Sequence, residues 1–159
     1  MGLVGFYAGS FDPFTNGHLQ IVKKAARCFD RVVIGIGSNN EKAAKFDKGR
    51  MQEAIEQTLK DEGLYNVDVT VYDILTVDKA REVGANILIR GIRNGTDYQY
   101  EENISAANEI MAHLDTCYFR AGEWGYLSSS LVYELHKYNK DISEYVPKAI
   151  AQLLNSYKR

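Results

Sequence analysis

The chain has 159 residues, about the size of one average domain, and its 45% apolar and 25% charged residues are ordinary for a globular protein. These values exclude a mostly disordered chain, a collagen-like chain and a coiled coil. Nineteen basic and twenty-one acidic residues give a net charge of −2 at pH 7, and this lack of a basic excess argues against a nucleic-acid-binding protein. We therefore expect one domain over residues 1–159 that binds no nucleic acid.

The cysteines and the hydrophobic segments indicate in which cellular compartment the protein is expected. Cys28 and Cys117 lie far apart and form no CxxC pair, which excludes a zinc ribbon and predicts two reduced, buried thiols. The N-terminal segment has no basic region followed by a long apolar run, so it does not resemble a signal peptide. No apolar stretch approaches the roughly 18 residues of a membrane span. These features predict a cytoplasmic protein without a membrane partner.

Short apolar runs alternate with segments of helical periodicity along the chain. In chain order, the pattern predicts a strand at 3–8, a helix at 18–29, a strand at 32–36, a helix at 50–60, a strand at 67–71, a short helix at 77–83, a strand at 87–89, a helix at 98–113, a strand at 117–119, and helices at 128–138 and from Pro147 onward. Such alternation predicts an α/β fold with a doubly wound, five-stranded parallel sheet and C-terminal helices. Ligands of such sheets bind at the carboxyl ends of the strands, near the point where strand order reverses.

Residues 9–18 join the first predicted strand to the first predicted helix. Gly9 and Gly17 allow a sharp turn and a close approach of the backbone to a ligand. Asn16 is the predicted N-cap, which places His18 in the first helical turn, where backbone amides and the helix dipole favour an anion. A histidine in this place can donate a hydrogen bond to a phosphate. The structural alternative is a capping loop with a packed histidine.

Four segments, in one order along nearly the whole chain, resemble a known family. Residues 7–18, which end in Thr-Asn-Gly-His, resemble the (H/T)xGH signature of the nucleotidyltransferase superfamily. Residues 40–46 resemble a lysine-bearing loop, residues 88–101 an RGxR…DxxYE segment, and residues 123–130 a segment that ends in three serines. Together, the four segments resemble the bacterial phosphopantetheine adenylyltransferases.

This resemblance implies a reaction in coenzyme A biosynthesis. ATP and 4′-phosphopantetheine would give dephospho-coenzyme A and pyrophosphate, with Mg²⁺ held mainly by the ATP phosphates. It also implies a Rossmann-like fold, a homohexamer and feedback by coenzyme A. The nucleophile is a phosphate oxygen that is already anionic at pH 7, so the enzyme has to align two polyanions and stabilise charge rather than supply a base.

The resemblance also implies roles for single residues. His18 is expected to bind the α-phosphate, and Lys42 and Arg90 to hold the acceptor phosphate and neutralise the reacting phosphates. The nucleotide site is implied to comprise Ser10, Phe11, His18, Gly91, Ile92, Arg93, Glu101, Trp124, Gly125, Tyr126, Leu127, Ser128, Ser129 and Ser130. The acceptor site is implied to comprise Ser10, Lys42, Thr76 and Arg90. The three serines precede an apolar helix, which they are expected to cap while they bind phosphate.

Several of these residues have structural alternatives. Lys42 lies among other basic residues, and composition alone favours a solvated charge there. Glu101 could complement a helix dipole, and Trp124 could be a core or interface aromatic. Asp12 and Asp97 are interpreted as turn residues, and His113 and His136 as structural histidines. These last four residues are given no chemical role.

Several positions depart from the family pattern, among them Glu109, which stands where the family often has an arginine. Ser10 stands where the family usually has threonine and keeps the hydroxyl, whereas Lys79 stands where the family prefers an aromatic residue. The acceptor side is therefore where this chain is expected to differ. The sequence leaves two other functions open. One is another adenylyl- or cytidylyltransferase with a different phosphorylated acceptor, such as nicotinate mononucleotide, and the other is a nucleotide-binding module without turnover.

Overall fold

The computed structural model describes residues 2–38, 44–92 and 113–157. The described elements are β1 (Val4–Gly9), α1 (Asn16–Cys28), β2 (Arg31–Gly37), α2 (Lys48–Asp61), β3 (Val67–Tyr72), α3 (Thr76–Glu82), β4 (Ile87–Ile92), β5 (Asp115–Arg120), a 3₁₀ turn (Gly122–Trp124), α4 (Ser129–Lys137) and α5 (Lys148–Asn155). The predicted helix at 98–113 lies almost wholly outside the described residues. Every other predicted strand and helix is present, and β4 runs three residues further than predicted.

The five strands form one parallel sheet in the order β3-β2-β1-β4-β5. This confirms the predicted α/β class and the five-stranded parallel sheet. Tyr7 of β1 lies beside Ile34 of β2 and Ile89 of β4 in the register of the sheet. Because the chain runs outward from β1 to β3 and then returns to β4, strand order reverses between β1 and β4. Their carboxyl ends therefore mark the edge where such sheets bind ligands.

The core lies on both faces of the sheet. Tyr7 and Ile89 belong to the larger cluster, which packs under α1, α2, α4 and α5. Phe6 and Leu88, the neighbours of those two residues in sequence, belong to the smaller cluster under α3. This alternation of side chains along each strand explains why β1 and β4 are nearly continuous apolar runs. Among the described residues, no helix is long and apolar enough to cross a membrane.

Two predicted helix starts are displaced by one residue. Thr15, and not Asn16, is the N-cap of α1, because its side chain accepts a hydrogen bond from the backbone of His18. Asn16 is the first helical residue, and its side-chain nitrogen donates to the carbonyl of Glu144 at 2.9 Å. Pro147 has an extended ψ of 155° and is the N-cap of α5, so the helix begins after it.

The two cysteines are free, but the prediction that both are buried is wrong. Cys117 on β5 is partly buried, whereas Cys28 is exposed. Cys28 is the last residue of α1, and the buried residues of that helix end at Ala25. Burial raises the pKa of the Cys117 thiol, and the nearby Cys28 raises it further.

Candidate active site

A cleft of about 260 Å³ lies at the carboxyl edge of the sheet, where β1 and β4 are neighbours. Its walls come from the end of β1, the 9–18 loop, the first turns of α1, the end of β4 and the start of α4. The cleft is therefore at the place that strand order predicts. Its lining includes Arg90 and no Asp or Glu among the described residues, so the described part of the lining suits an anion.

The orientation of His18 is fixed by the residue that begins its helix. The backbone N–H of Thr15 donates to Nδ1 of His18 at 2.9 Å, and Oγ1 of Thr15 lies 3.2 Å from the same nitrogen. In return, the backbone N–H of His18 donates to Oγ1 of Thr15 at 3.4 Å. Because Nδ1 is an acceptor, the hydrogen bonds assign the proton of the neutral ring to Nε2. A hydrogen-bond donor at Nε2 is what a phosphate oxygen requires.

Aromatic rings hold the same imidazole from the side. The ring of Phe11 lies edge-on at 4.9 Å between centroids, and the ring of Phe14 lies 5.5 Å away. Phe11 has a φ of 45°, and its ring packs so close to Gly9 that a Cβ there would lie 3.0 Å from it. Glycine at position 9 therefore allows the aromatic packing that supports His18.

The 9–18 loop is bonded to two distant parts of the chain. The Asp12 carboxylate accepts hydrogen bonds from the backbone N–H groups of Lys45 at 2.8 Å and Phe46 at 3.0 Å, just before α2. On the other side, the hydroxyl of Ser129 donates to the carbonyl of Pro13 at 2.8 Å. The peptide bond between Asp12 and Pro13 is cis. The interpretation of Asp12 as a structural residue agrees with these bonds, which anchor the loop beside the cleft.

The end of β4 forms the opposite wall. Arg90, Gly91 and Ile92 line the cleft, and Arg90 is half-buried. A Cβ on Gly91 would lie 3.3 Å from Cγ1 of Ile21 and 3.7 Å from the hydroxyl of Tyr7. This close packing brings α1 against β4, and with it brings His18 and Arg90 into the lining of one cleft.

The first turn of α4 contributes the third wall. Ser128 is the N-cap, and its hydroxyl accepts a hydrogen bond from the N–H of Leu131 at 3.1 Å, as the sequence predicts for this serine segment. Leu127, Ser128 and Ser129 line the cleft. Since the hydroxyl of Ser129 is bonded to Pro13, both side chains have structural partners. Backbone N–H groups at the start of a helix are suited to anions.

The cleft brings together only part of the predicted site. Its lining includes these predicted residues: Phe11, His18, Arg90, Gly91, Ile92, Leu127, Ser128 and Ser129. These predicted residues do not line it: Ser10, Thr76, Trp124, Gly125, Tyr126 and Ser130. Lys42, Arg93 and Glu101, together with Asp97, lie outside the described residues. The functional roles of all these residues stay predictions.

Part of the lining is not predicted from the sequence, including Tyr7, Ala8, Thr15, Ile21 and Ala121. Thr15 has a readable signal, since a hydroxyl residue three positions before the histidine has the spacing of a reciprocal helix cap. The apolar lining residues have no such signal in the sequence, because core positions of strands and helices have the same residue types whether or not they border a cleft.

The contacts of His136 fit its structural interpretation, whereas that of His113 stays a prediction. Nε2 of His136 lies 2.8 Å from the carbonyl of Leu154, and the side chain is buried between α4 and α5. His113 is exposed and has a φ of 56°. Neither lines the cleft.

Whether the cleft could hold a metal ion depends on which side chains in its lining could act as metal ligands. Among the described residues, no group of three His, Cys, Asp or Glu side chains could hold one. The described lining supplies a ring N–H, a guanidinium and helix amides, which suit phosphate oxygens, and it has no carboxylate that would suit Mg²⁺. These residues therefore do not fit a protein-held magnesium ion.

The fold and the site together define an α/β protein with a cleft at the carboxyl edge of a parallel sheet, and comparison with known proteins identifies its family. The cytidylyltransferase-like family model matches residues 6–143. A phosphopantetheine adenylyltransferase of Lachnoclostridium phytofermentans is 41% identical over 153 residues, which are 95% of this chain and 93% of the relative. One of Cytophaga hutchinsonii is 41% identical over 94% of this chain and 100% of the relative. The chain therefore belongs to the phosphopantetheine adenylyltransferase family of cytidylyltransferase-like enzymes.

A solved structure shares the fold at lower identity. A protein of Vibrio parahaemolyticus, provisionally identified as a nicotinate-nucleotide adenylyltransferase, superposes with a TM-score of 0.73 at 19% identity and covers 98% of this chain and 99% of its own. This likeness shows the α/β fold alone.

Proposed function

We propose that this chain transfers the adenylyl group of ATP to 4′-phosphopantetheine and gives dephospho-coenzyme A and pyrophosphate, a step in coenzyme A biosynthesis. Its relatives at about 40% identity over nearly the full length carry the name of that enzyme. The structural observation that carries the proposal is the cleft between β1 and β4, where a histidine with its proton on Nε2 and an arginine line the same space.

The reaction is a displacement at phosphorus. A phosphate oxygen of the acceptor attacks the α-phosphorus of ATP and forms a new P–O bond. The bond from the α-phosphorus to the oxygen that bridges the α- and β-phosphates breaks, and pyrophosphate leaves with that electron pair. The nucleophile is an anion and the leaving group is a stable anion, so no protein base is needed. Alignment of the two substrates and stabilisation of charge supply the rate enhancement.

His18 is the proposed donor to the α-phosphate. Its Nε2–H would donate to a non-bridging oxygen of that phosphate, and the bond would strengthen as charge develops in the transition state. The contacts of Nδ1 with Thr15 support this role because they set the tautomer and the direction of the ring before substrate binds.

Arg90 and Lys42 are the proposed cations of the acceptor side. A planar guanidinium can bind two phosphate oxygens at once, and the half-buried position of Arg90 in the cleft strengthens that interaction relative to water. Lys42 is assigned by its place in the family's lysine-bearing loop. Together, they would hold the acceptor phosphate against the repulsion of the ATP phosphates.

The nucleotide is proposed to lie along the remaining walls of the cleft. Phe11, Gly91, Ile92 and Leu127 line it, and the start of α4 at Ser128–Ser130 offers backbone N–H groups to phosphate oxygens. Arg93, Glu101 and residues 124–126 are assigned to the same nucleotide by family resemblance. Mg²⁺, which the family resemblance implies, would be held mainly by the ATP phosphates and not by the described residues of this chain.

Pyrophosphate release from MgATP tests the function directly. The test would compare 4′-phosphopantetheine, nicotinate mononucleotide and glycerol 3-phosphate as acceptors, and mass spectrometry would identify the product. Release with phosphopantetheine alone, with dephospho-coenzyme A as the product, is the expected result. Release with another acceptor would be consistent with the proposed role of His18 but would contradict the assignment of phosphopantetheine as the acceptor. Tight ATP binding without turnover would indicate a nucleotide-binding module.

Regulation and location are the further parts of the proposal. Coenzyme A contains the phosphopantetheine moiety of the acceptor, so it would compete for the same site and act as a feedback inhibitor. Added coenzyme A should therefore raise the KM for phosphopantetheine without changing kcat, and unchanged kinetics would remove feedback from the proposal. The cytoplasm is the proposed location because ATP is a cytoplasmic metabolite, and cell fractionation tests this.

A further inference from the structure

A second cavity, of about 400 Å³, lies among the segment before α2, the C-terminal end of α4 and the segment after α5. This C-terminal cavity shares no residue with the described lining of the cleft between β1 and β4, so it is a separate space. A volume of this size suits a small molecule. The side chains of its lining therefore indicate which molecule it could hold.

The walls of the C-terminal cavity are held in place by bonds within the chain. The hydroxyl of Tyr157 accepts a hydrogen bond from the backbone N–H of Asp47 at 2.9 Å, and its ring packs edge-on against Phe46 at 5.1 Å between centroids. The backbone N–H of Phe46 in turn donates to the Asp12 carboxylate at 3.0 Å. Walls that are fixed in advance lower the entropy cost of binding a ligand.

Positive charge and aromatic rings meet in the same lining. Lys45 and Lys137 both line the cavity, and its described lining includes no Asp or Glu. Nζ of Lys45 lies 4.6 Å from the centroid of the Tyr133 ring, which places the cation over an aromatic wall. The lining therefore suits a ligand that has both a negative charge and an aromatic ring.

A buried histidine completes the lining and has one ring nitrogen to spare. His136 is 8% exposed, and its ring packs edge-on against Phe46 at 5.7 Å between centroids. Nε2 lies 2.8 Å from the carbonyl oxygen of Leu154, and because a carbonyl can only accept, Nε2 carries the proton and Nδ1 of the neutral ring is an acceptor. Nδ1 has no hydrogen-bond partner in the described part of the chain. An unpartnered acceptor in the wall of a cavity favours a ligand that brings a donor.

We propose that the C-terminal cavity binds a small aromatic anion that also carries an N–H or O–H donor. The ammonium groups of Lys45 and Lys137 hold the anionic group. The rings of Tyr133 and Tyr157 contact the aromatic ring of the ligand, and Nδ1 of His136 accepts from its donor. This site goes beyond the proposed adenylyl transfer and does not depend on it, because no residue of its described lining is assigned to that reaction.

A set of matched probes tests the chemistry of the ligand. The first probe is 4-hydroxybenzoate, which combines a carboxylate, an aromatic ring and a hydroxyl donor, and ligand-observed NMR titration gives its Kd. Benzoate lacks the donor, phenol lacks the charge and 4-hydroxycyclohexanecarboxylate lacks the aromatic ring. Each of these three is expected to bind about three- to tenfold more weakly, the range that one hydrogen bond or one ion pair is worth.

Substitutions in the lining test where the probe binds. Lys137→Gln should weaken 4-hydroxybenzoate about two- to fivefold, as expected for an ion pair at an exposed rim. Tyr133→Leu keeps an apolar side chain, removes the aromatic ring and should also weaken binding. Lys60→Gln is the matched control, since this exposed lysine on α2 lies outside the lining, and it should leave the Kd unchanged. Urea unfolding of each variant shows whether the fold is intact.

Three results would overturn the proposal. They are the absence of saturable binding of 4-hydroxybenzoate to the parent protein, equal affinity for all four probes, and equal affinity of the parent protein and Lys137→Gln for 4-hydroxybenzoate. Lys137 is exposed on the last turn of α4, so its substitution is not expected to disturb folding and the last comparison decides the outcome even if Tyr133→Leu is unstable.

Discussion

His18 shows how much of the site is decided by single contacts. Its position in the first helical turn could be predicted from the Thr-Asn-Gly-His spacing, but its tautomer depends on the distance from Nδ1 to the Thr15 amide. That distance follows from where α1 begins, and the predicted start lies one residue too late. The direction of the proton-bearing nitrogen was therefore missed, although the spacing of Thr15 and His18 is that of a reciprocal helix cap and carries a signal for it.

Substitution of His18 tests its role in the transition state. His18→Ala should lower kcat by about a hundredfold or more, while ATP binding persists, because the lost bond is strongest when charge develops on the α-phosphate. Steady-state pyrophosphate release and calorimetric ATP binding give the two quantities. His113→Asn is the control, since this exposed residue has a left-handed φ that asparagine tolerates. An unchanged kcat in His18→Ala would remove the histidine from the mechanism.

The role of Lys42 is tested by comparing how its substitution changes the KM for each of the two substrates. Lys42→Ala should raise the KM for phosphopantetheine more than the KM for ATP, because its charge is assigned to the acceptor phosphate. Lys60→Ala, an exposed lysine on α2, should change neither value. The opposite division between the two KM values would mean that the two subsites have been assigned the wrong way round.

At the scale of elements, the strands and most helices follow from periodicity alone. The β-branched run of β2 and the alternation of Val67, Val69 and Val71 in β3 correctly predict two strands, which the structure pairs in parallel. The order of the strands in the sheet is a different matter, since it depends on packing between elements. The burial of Cys28 was mispredicted for a similar reason, because residue type says nothing about where the buried face of a helix ends.

The packing of the Phe6 ring against the Tyr72 ring, at 5.6 Å between centroids, depends on Gly35 of β2. Gly35→Ala would place a Cβ 2.3 Å from the ring of Phe6 and 2.9 Å from that of Tyr72, in a part of the core where both rings are buried. We expect the free energy of unfolding to fall by about 1–3 kcal/mol, as for other overpacked cores. The urea midpoint measures this change.

A second glycine provides the control for that variant. Gly49 lies in the exposed first turn of α2, where an added Cβ would meet only the Asp47 carboxylate, at 3.3 Å. Gly49→Ala is expected to change stability by less than about 1 kcal/mol. Equal effects of the two substitutions would contradict the close packing at Gly35.

At the scale of the whole molecule, the family resemblance predicts an assembly that one chain does not display. Large apolar side chains are exposed on its surface, among them Leu75 at 63% and Tyr138 at 65%. The sequence also suggests an interface role for four tyrosines near the C-terminus, Tyr133, Tyr138, Tyr145 and Tyr157. Tyr133, Tyr145 and Tyr157 are partly buried within the chain itself. Tyr138 is therefore the better candidate of this group.

Light scattering tests the assembly. The expected mass is about six times the 17.9 kDa of one chain, as for a homohexamer. Tyr138→Asp places a charge on the exposed tyrosine and should lower that mass if the residue lies in an interface, whereas Tyr65→Phe should not. A mass of one chain at working concentration would contradict the prediction.

The hydrogen bond that orients His18 has a consequence for how this protein can change over time. Its donor is a backbone amide, which every residue except proline carries, so another side chain at position 15 keeps that bond provided that it caps α1 as the Thr15 hydroxyl does. What selection must preserve is the start of α1 at Asn16, which the loop bonds of Asp12 and Ser129 support from a distance. Variation that abolishes activity is therefore expected at residues that never touch a substrate, and a survey of natural variants should find constraint there as well as at His18.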